Sequence, residues 1–283
     1  MPTIHTSKIT ETVAKLCIDA NYYLNADIKS CLAASLKTET NETAKWITQI
    51  LIENAKIAEE SRSPICQDTG MAVVFIDIGQ DVSIKGDFLA DAVNAGVCKG
   101  YKDGYLRNSV VSDPIDRINT NDNTPAVIHY SIVKGGNMTI TVVPKGFGSE
   151  NMSALKMLSP SAGIEGVEAF VVDTVRSADS NPCPPIIVGV GVGGTMECAA
   201  ILAKKALLRP VGSRHSDKFW AGTETRLLDA INALGIGING IGGTLTAMAV
   251  NINVYPTHIA GLPVAVNIGC HATRHMTAVL EGE

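Results

Sequence analysis

Apolar residues near the start of the chain recur every three or four positions. Ile9, Val13 and Leu16 follow this spacing, and the same spacing returns later in the segment. Such a period places apolar side chains on one face of a helix. Pro64 ends the pattern, because the residue before a proline disfavours the helical conformation. We therefore expect a helical region within residues 1–62.

Beyond this region, short apolar stretches rich in β-branched residues alternate with further helical patterns. Within the first region, Asn41 followed by Glu42 and Thr43 predicts the start of the third helix. A Gly135-Gly136 pair between two β-type runs predicts a hairpin turn. The further segments predict strands at 71–79, 125–133, 137–144, 184–194, 244–256 and 262–269, and helices at 86–104, 149–158, 163–177, 195–208 and 217–233.

This mixture predicts a mixed α/β fold, in which a helical N-terminal region is followed by strands and helices in mixed sheets. No Ser/Pro-rich linker or block of charge divides the chain, so we expect one domain over residues 1–283. A Gly-x-Gly-x-x-Gly pattern runs from Gly189 to Gly194, between a predicted strand and helix. The acidic residue that a dinucleotide site needs about 20 residues later is absent, so the pattern does not favour NAD binding.

Composition excludes several classes of protein. Of 283 residues, 46% are hydrophobic and 18% are charged, which is typical of a globular chain rather than a disordered one. The net charge of −5 argues against nucleic-acid binding, which usually needs a basic face. There is no apolar run of about 18 residues, so no membrane span is expected. The first residues lack the pattern of a secretory signal, and we expect a cytoplasmic protein.

The chain has seven cysteines and no Cys-x-x-Cys pair. An odd number without an export signal does not indicate a disulfide framework. Cys66, Cys183 and Cys270 lie within two residues of proline or glycine at junctions between elements, where functional sites are often built. If these three thiols converge, they suit a catalytic iron–sulfur cluster or an open zinc site; otherwise they are ordinary loop thiols. The others read as small buried side chains in helical patterns: Cys17, Cys31, Cys98 and Cys198.

Several polar residues allow both a structural and a functional interpretation. Asp68 is either the first residue of an Asx turn or a carboxylate that transfers a proton. Arg107 is either a solvated side chain or a fork for a substrate carboxylate. Three of the six histidines lie between His258 and His275, close to Cys270. Such a cluster beside a glycine-cysteine junction favours a functional site over isolated structural histidines.

Five segments together resemble the α subunit of the two-subunit class I fumarate hydratases, the iron–sulfur fumarases. The α subunits of L-tartrate dehydratases are similar, especially around CQDTG and the CPP segment. The phrase that begins at His258, with His271 directly after Cys270, favours the fumarases. The matching segments are SPICQDTG (63–70), PKGFGSENMSALKML (144–158), NPCPPIIVGVGVGGT (181–195), LLRPVGSRH (207–215) and HIAGLPVAVNIGCHATRH (258–275).

The resemblance implies that Cys66, Cys183 and Cys270 hold a [4Fe–4S] cluster, whose fourth iron has no protein ligand and acts as a Lewis acid. It implies catalytic roles for Asp68 and His258. It also implies three residues that bind the substrate: Gln67, Arg107 and Gly148.

The implied reaction is the reversible hydration of fumarate to (S)-malate, a step of the tricarboxylic acid cycle. The implied partner is a fumarase β subunit in a hetero-oligomer, without which the chain is poorly active. Phe147 departs from the family pattern, since a third glycine is expected there. Two alternatives stay open: the α subunit of an L-tartrate dehydratase, and a cluster-binding scaffold subunit without a catalytic role.

Overall fold

The computed structural model describes residues 2–282 and has a mixed α/β architecture, as the sequence predicts. The helices are α1 (Thr6–Tyr22), α2 (Ala26–Ser35), α3 (Glu42–Ser61), α4 (Leu89–Asp103), α5 (Phe147–Glu150), α6 (Gly163–Ala178), α7 (Met196–Ala206) and α8 (Lys218–Asn232). The strands are β1 (Thr3–His5), β2 (Met71–Gly79), β3 (Ser83–Lys85), β4 (Val127–Val133), β5 (Asn137–Lys145), β6 (Ala154–Leu158), β7 (Ile186–Gly193), β8 (Ala247–Tyr255), β9 (Leu262–Gly269) and β10 (Met276–Glu281).

Elements with a strong local signal are confirmed. The predicted strand at 71–79 has the bounds of β2, and the N-terminal helical region contains α1, α2 and α3. Asn41 caps α3, because its Oδ1 accepts hydrogen bonds from the backbone N–H groups of Thr43 at 3.0 Å and Ala44 at 3.2 Å. The sequence analysis missed three short or edge strands: β1, β3 and β10.

The chain divides into two compact units, and the division falls within α3 and at three other points. Unit one contains the described residues 2–25, 54–147 and 274–282, and unit two contains residues 26–53 and 148–273. The expectation that residues 1–283 form one family domain stays a prediction. Among residues 2–282, no helix is both long and apolar enough to cross a membrane.

Unit one is built on a four-stranded sheet in the order β10-β5-β2-β4, with α1 packed on β5 and β10 and α4 packed on α1. Alternate residues of β2, such as Val74 and Ile76, are fully buried. They form one apolar cluster with Val13 of α1 and Val97 of α4. The cluster forms because period-2 and helical apolar patterns both present one continuous apolar face. A small parallel pair, β1 with β3, belongs to the same unit.

The predicted hairpin between residues 125–133 and 137–144 is wrong, although both strands exist. β2 lies between them, parallel to β4 and antiparallel to β5. The end of β2 passes close to the turn, since a Cβ on Gly79 would lie 2.3 Å from the Gly135 carbonyl oxygen. β2 is the most apolar of the three strands, and the central position buries both of its faces. Burial of β2 therefore outweighs direct pairing across the glycine turn.

Unit two is built on a sheet in the order β6-β9-β7-β8. The core on one face contains Val188 and Val190 of β7 together with Val171 of α6 and Leu227 of α8. The other face carries α7, which approaches very closely because β7 has glycines there. A Cβ on Gly191 would lie 2.0 Å from the carbonyl oxygen of Ala199 in α7. The glycine pattern thus serves the packing of a helix on a strand, rather than the approach of a cofactor.

The predicted helix at 149–158 is wrong. Only α5 is helical there, and β6 follows as an edge strand antiparallel to β9. Leu155 and Met157 of β6 are exposed, so local apolar content alone does not explain the strand. Its backbone instead completes the hydrogen-bonding edge that β9 offers, and tertiary pairing overrides a sequence of good helix formers.

Candidate active site

In unit one, the loop between α3 and β2 carries Cys66, Gln67 and Asp68. Both carboxylate oxygens of Asp68 accept backbone hydrogen bonds. Oδ1 accepts from the N–H of Gly70 at 3.0 Å, and Oδ2 from the N–H of Phe147 at 2.9 Å. The first bond is the Asx turn that the sequence analysis weighed. The half-buried carboxylate is therefore held in a defined orientation.

Phe147 takes part in the hydrogen bonding of Asp68 through its backbone. Its N–H meets Asp68, whereas its side chain is exposed. The preceding residue, Gly146, lies so close that a Cβ there would be 3.1 Å from Asp68 Oδ2. The departure from a third glycine at residue 147 is thus compatible with the backbone contact, and the tight approach falls at Gly146.

Thr69, directly after Asp68, joins the loop to Arg107. Its buried hydroxyl donates to the Arg107 carbonyl oxygen at 3.0 Å and accepts from the Arg107 N–H at 2.9 Å. The side chain of Arg107 is exposed, as is that of Gln67. The Cys66 thiol is half-buried, 3.5 Å from Gln67 Oε1. Unit one therefore brings together four of the predicted site residues.

In unit two, Cys183 and Cys270 lie at the same edge of the sheet. Cys183 comes three residues before β7, and Cys270 directly follows β9. The antiparallel register pairs Gly269 with Ile187, so the two cysteine segments are neighbours. His271 ties them together: its backbone N–H lies 3.3 Å and its Nδ1 3.0 Å from the Cys183 carbonyl oxygen.

The backbone around Cys183 has an uncommon conformation. Its φ is +54°, in the left-handed region that few residues other than glycine adopt, and its thiol is exposed. Its N–H bonds to the Ser180 carbonyl oxygen at 3.0 Å. Gly148 belongs to this region as well, because a Cβ built on it would have the Asn181 carbonyl oxygen as its nearest neighbour, at 4.0 Å. A strained conformation beside a solvent-facing thiol is typical of a functional loop.

His258 does not join Cys183 and Cys270 within unit two. It lies in the loop between β8 and β9, and Tyr255 at the end of β8 pairs with Gly193 at the far end of β7. A strand of this length spans about 25 Å, so the histidine and the two thiols are at opposite edges of one sheet. The imidazole Nδ1 of His258 accepts from the N–H of Ala260 at 3.2 Å, and the side chain is exposed.

The thiols differ in character. None of the seven cysteines, all of which lie within residues 2–282, forms a disulfide. Cys17 is fully buried, and burial raises its pKa to about 12, so it stays a thiol. Cys66, Cys183 and Cys270 retain contact with solvent. Soft, accessible thiols suit iron, and this donor set fits an iron–sulfur cluster.

A single metal ion is a different case. Within residues 2–282, no three or more His, Cys, Asp or Glu side chains gather closely enough to hold one ion. A cubane cluster is larger than an ion, and each thiolate bonds to a different iron. The open zinc site that the cysteine pattern left possible takes residues from both units and stays a hypothesis.

Two buried residues near the loop were not among the predicted site residues. The guanidinium of Arg274 is buried and donates to the carbonyl oxygen of Asp68. The hydroxyl of Tyr101, also buried, lies 2.8 Å from the Thr69 carbonyl oxygen and 2.9 Å from that of Gly70. Burial raises the pKa of this phenol, which therefore remains a donor. Arg274 had a signal, its place beside Cys270 and His271, whereas Tyr101 lay unremarked in a helical pattern.

The family model described as fumarate hydratase (Fumerase) matches residues 10–279. The chain belongs to the fumarate hydratase family. Its enzyme class is accordingly hydro-lyase, as the resemblance implied.

Individual relatives cover nearly the whole chain. A putative L(+)-tartrate dehydratase subunit alpha from Methanocaldococcus jannaschii is 44% identical over 273 residues, which is 94% of this chain and 95% of the relative. The L(+)-tartrate dehydratase subunit alpha of Escherichia coli K12 is 34% identical over 284 residues, with 98% and 92% coverage. The protein of that name from Shigella sonnei has the same values. This member of the fumarate hydratase family is thus similar to α-type chains throughout its length.

Proposed function

We propose that the chain is the α subunit of an iron–sulfur hydro-lyase that interconverts fumarate and (S)-malate. Membership of the fumarate hydratase family supports the reaction class. The observation that carries the cofactor is the pairing of the Cys183 and Cys270 segments through His271 at one sheet edge. Two accessible thiols at one edge are the start of a ligand set that Cys66 completes. The relatives are named as alpha subunits, which supports a β subunit as partner in a hetero-oligomer.

The residues divide the chemistry between them. Cys66, Cys183 and Cys270 hold a [4Fe–4S] cluster, which when bound supplies a Lewis acid for the departing hydroxyl group. Arg107 pairs with a carboxylate of the diacid, for which a guanidinium fork is well suited. Asp68 moves a proton near the hydroxyl group, with its orientation held by the N–H groups of Gly70 and Phe147.

Two further residues complete the proposed pocket. The amide of Gln67, on the exposed side of the Cys66 loop, binds the substrate through a hydrogen bond. Gly148 offers its backbone N–H to a carboxylate. His258 is kept as a proposed catalytic residue for acid–base chemistry, and it lies outside this pocket, at the opposite edge of the unit two sheet from Cys183 and Cys270.

L-Tartrate is the second candidate substrate. The observation that favours it is the name of the relatives: two are named L(+)-tartrate dehydratase subunit alpha, and the third carries the same name marked as putative. Tartrate and malate are both 2-hydroxy diacids, so the same residues serve either one. The choice is one of specificity within a single reaction class.

The test uses the complex of this chain with the partner subunit, purified without oxygen. Iron and sulfide content and the absorbance spectrum are measured for the wild type and for Cys→Ser variants at 66, 183 and 270. Each variant is expected to lose cluster, whereas Cys98→Ser, a half-buried helical cysteine, keeps it. Full iron and sulfide content in all three variants overturns the assignment of the cofactor.

Activity is measured in parallel with fumarate, (S)-malate and L-tartrate. The proposal expects the higher kcat/KM for malate, and a higher value for tartrate selects the second candidate. Asp68→Asn should lose at least about 10²-fold in kcat with its cluster retained. Asp113→Asn is the matched control, since Asp113 Oδ1 also accepts from the N–H two residues later, at 2.8 Å, on an exposed turn. A complex that tolerates Asp68→Asn assigns the chain the scaffold role instead.

A further inference from the structure

The main chain of Arg107 is held to the Cys66–Gly70 loop by a side chain that has no proposed catalytic role. Thr69 is buried, and its hydroxyl makes both of its bonds to one residue, donating to the Arg107 carbonyl oxygen and accepting from the Arg107 N–H. Loss of this hydroxyl would remove the acceptor of the Arg107 N–H and would leave the Arg107 carbonyl oxygen with the longer bond from the Ser109 hydroxyl, at 3.5 Å. The contact therefore fixes the Arg107 backbone relative to the residue that follows Asp68.

A second buried side chain makes a parallel connection. Asn123 Oδ1 accepts from the N–H of Ser109 at 2.7 Å, and its Nδ2 donates to the Gly70 carbonyl oxygen at 3.1 Å. Asn123 is fully buried and has φ of +60°, a conformation that asparagine tolerates better than most residues. The two segments are thus joined at two nearby points. Thr69 bonds directly to Arg107, and Asn123 bridges Gly70 and Ser109.

The loop side of this connection is itself immobilised. The Tyr101 hydroxyl donates toward the carbonyl oxygens of Thr69 and Gly70, and the buried Arg274 guanidinium donates to that of Asp68. Gly70 cannot carry a side chain, because a Cβ there would lie 2.7 Å from the backbone of Pro144 and Lys145. The loop can therefore serve as a fixed reference for Arg107.

Arg107 needs such a reference because its own side chain is exposed. A long, solvated side chain on a mobile backbone would lose much of its freedom on binding a carboxylate, and this loss weakens binding. A fixed Cα narrows the region that the guanidinium explores. Pre-organisation of this kind favours a bound geometry in which the carboxylate and the reacting carbon are both held in place.

We propose that Thr69 and Asn123 are positioning residues, which hold the Arg107 backbone against the Asp68 loop so that the guanidinium and the Asp68 carboxylate meet the same diacid. The proposal rests on the proposed function, because it takes a dicarboxylate as the ligand of Arg107. It assigns no direct contact between substrate and either positioning residue.

The test is a double-mutant cycle in the complex with the partner subunit. Thr69→Val keeps the shape of the side chain and removes the hydroxyl, and it should lower kcat/KM for the preferred diacid roughly 3- to 10-fold, mainly through KM. Thr69→Ser restores the hydroxyl and should recover most of the loss. In an Arg107→Ala background, Thr69→Val should change kcat/KM less than about 2-fold, because its target is already gone.

Controls separate positioning from general stability. Thr6→Val removes another buried hydroxyl of unit one, which accepts from the Asp87 N–H at 3.0 Å, and should change Tm without changing KM. Asn123→Gly is the second variant, for use if Thr69→Val does not fold, because glycine tolerates the positive φ of this position. It too should lower kcat/KM only when Arg107 is present. Hydrogen exchange at the Arg107 amide should accelerate in Thr69→Val and not in Thr6→Val.

Failure of the positioning role and failure of the proposed function give different results. An active complex in which Thr69→Val and Arg107→Ala have additive effects overturns the positioning role and leaves the hydro-lyase assignment intact. A wild-type complex that holds its cluster and converts none of fumarate, malate and tartrate overturns the proposed function, and the positioning role falls with it.

Discussion

The imidazole of His271 is held against the main chain of Cys183, with Nδ1 3.0 Å from the Cys183 carbonyl oxygen. Because a carbonyl oxygen only accepts, the tautomer that makes this bond carries its proton on Nδ1. His271 also follows Cys270 directly, so one residue links both cysteine segments of unit two.

This link predicts an effect on cofactor retention. His271→Ala should lower the iron and sulfide content per chain after anaerobic purification, because the Cys183 loop loses its tie to Cys270. His271→Asn, whose amide can replace the Nδ1–H donor, should retain more cluster than His271→Ala. Equal and full cluster content in both variants would show that the link has no such role.

The separation of His258 from Cys183 and Cys270 predicts that their variants behave differently. His258→Ala should lower kcat and leave the iron content unchanged, since the histidine lies at the opposite edge of the sheet. Cys270→Ser should lower both quantities. Iron analysis and turnover of the same preparations check this. Loss of iron on His258→Ala would contradict the separation.

Because β7 contacts α7 through glycines, we expect a larger side chain at these positions to destabilise the protein strongly. Gly191→Ala places a Cβ 2.0 Å from the Ala199 carbonyl oxygen and should cost at least about 2 kcal/mol of unfolding free energy. The control is Gly222→Ala in the interior of α8, where the nearest atom is an Arg226 guanidinium nitrogen at 3.5 Å. This variant should gain up to about 1 kcal/mol from helix propensity. Urea denaturation of both variants measures the difference, and similar free energies for the two would refute close packing of α7 on β7.

Glu39 predicts a pH dependence of stability. The residue is buried in unit two, and Oε2 accepts from Thr244 N–H at 2.7 Å and Thr244 Oγ1 at 3.0 Å. Burial opposes ionisation, but these bonds and those from Asn41 and Thr40 outweigh it and lower the pKa of Glu39 below its usual 4.5. A lowered carboxyl pKa contributes stability that is present above pH 4.5 and is lost as pH falls through the folded-state pKa.

Glu39→Gln should therefore cost about 1–3 kcal/mol near neutral pH, and the difference from wild type should shrink in acid. Glu42→Gln is the control, because the Glu42 side chain is exposed and its ion pair with Lys45 lies at the surface. Thermal melts from neutral to acidic pH check both variants. A constant difference between Glu39→Gln and wild type at every pH is the contrary result.

Local signals are sufficient where a short contiguous stretch decides the element. Nine consecutive residues predict β2, and Asn41 with the two residues after it predicts the start of α3, because each is decided by interactions within a few residues. Segment 149–158 failed for the opposite reason. Its helix formers were outweighed by pairing with β9, more than one hundred residues later in the chain.

The same limit applies to the site. Cys66, Asp68 and Arg107 could be proposed from residue type and neighbours, since thiols at junctions and a carboxylate in a turn have local signatures. The ties through Thr69 and Asn123 had none, because a hydroxyl that bonds a backbone 38 residues away leaves no pattern in the sequence.

The sequence by itself determined the periodicities of most helices and strands, the three cysteines that stand at junctions, and the family, because each is carried by neighbouring residues or contiguous motifs. Only the tertiary structure decided that β2 separates β4 from β5, that the β7 glycines admit α7, and that His258 lies across the sheet from Cys183 and Cys270. Strand order and sheet edge depend on pairing between distant segments. The free energy of that pairing comes from burial and hydrogen bonding that no short stretch of chain encodes.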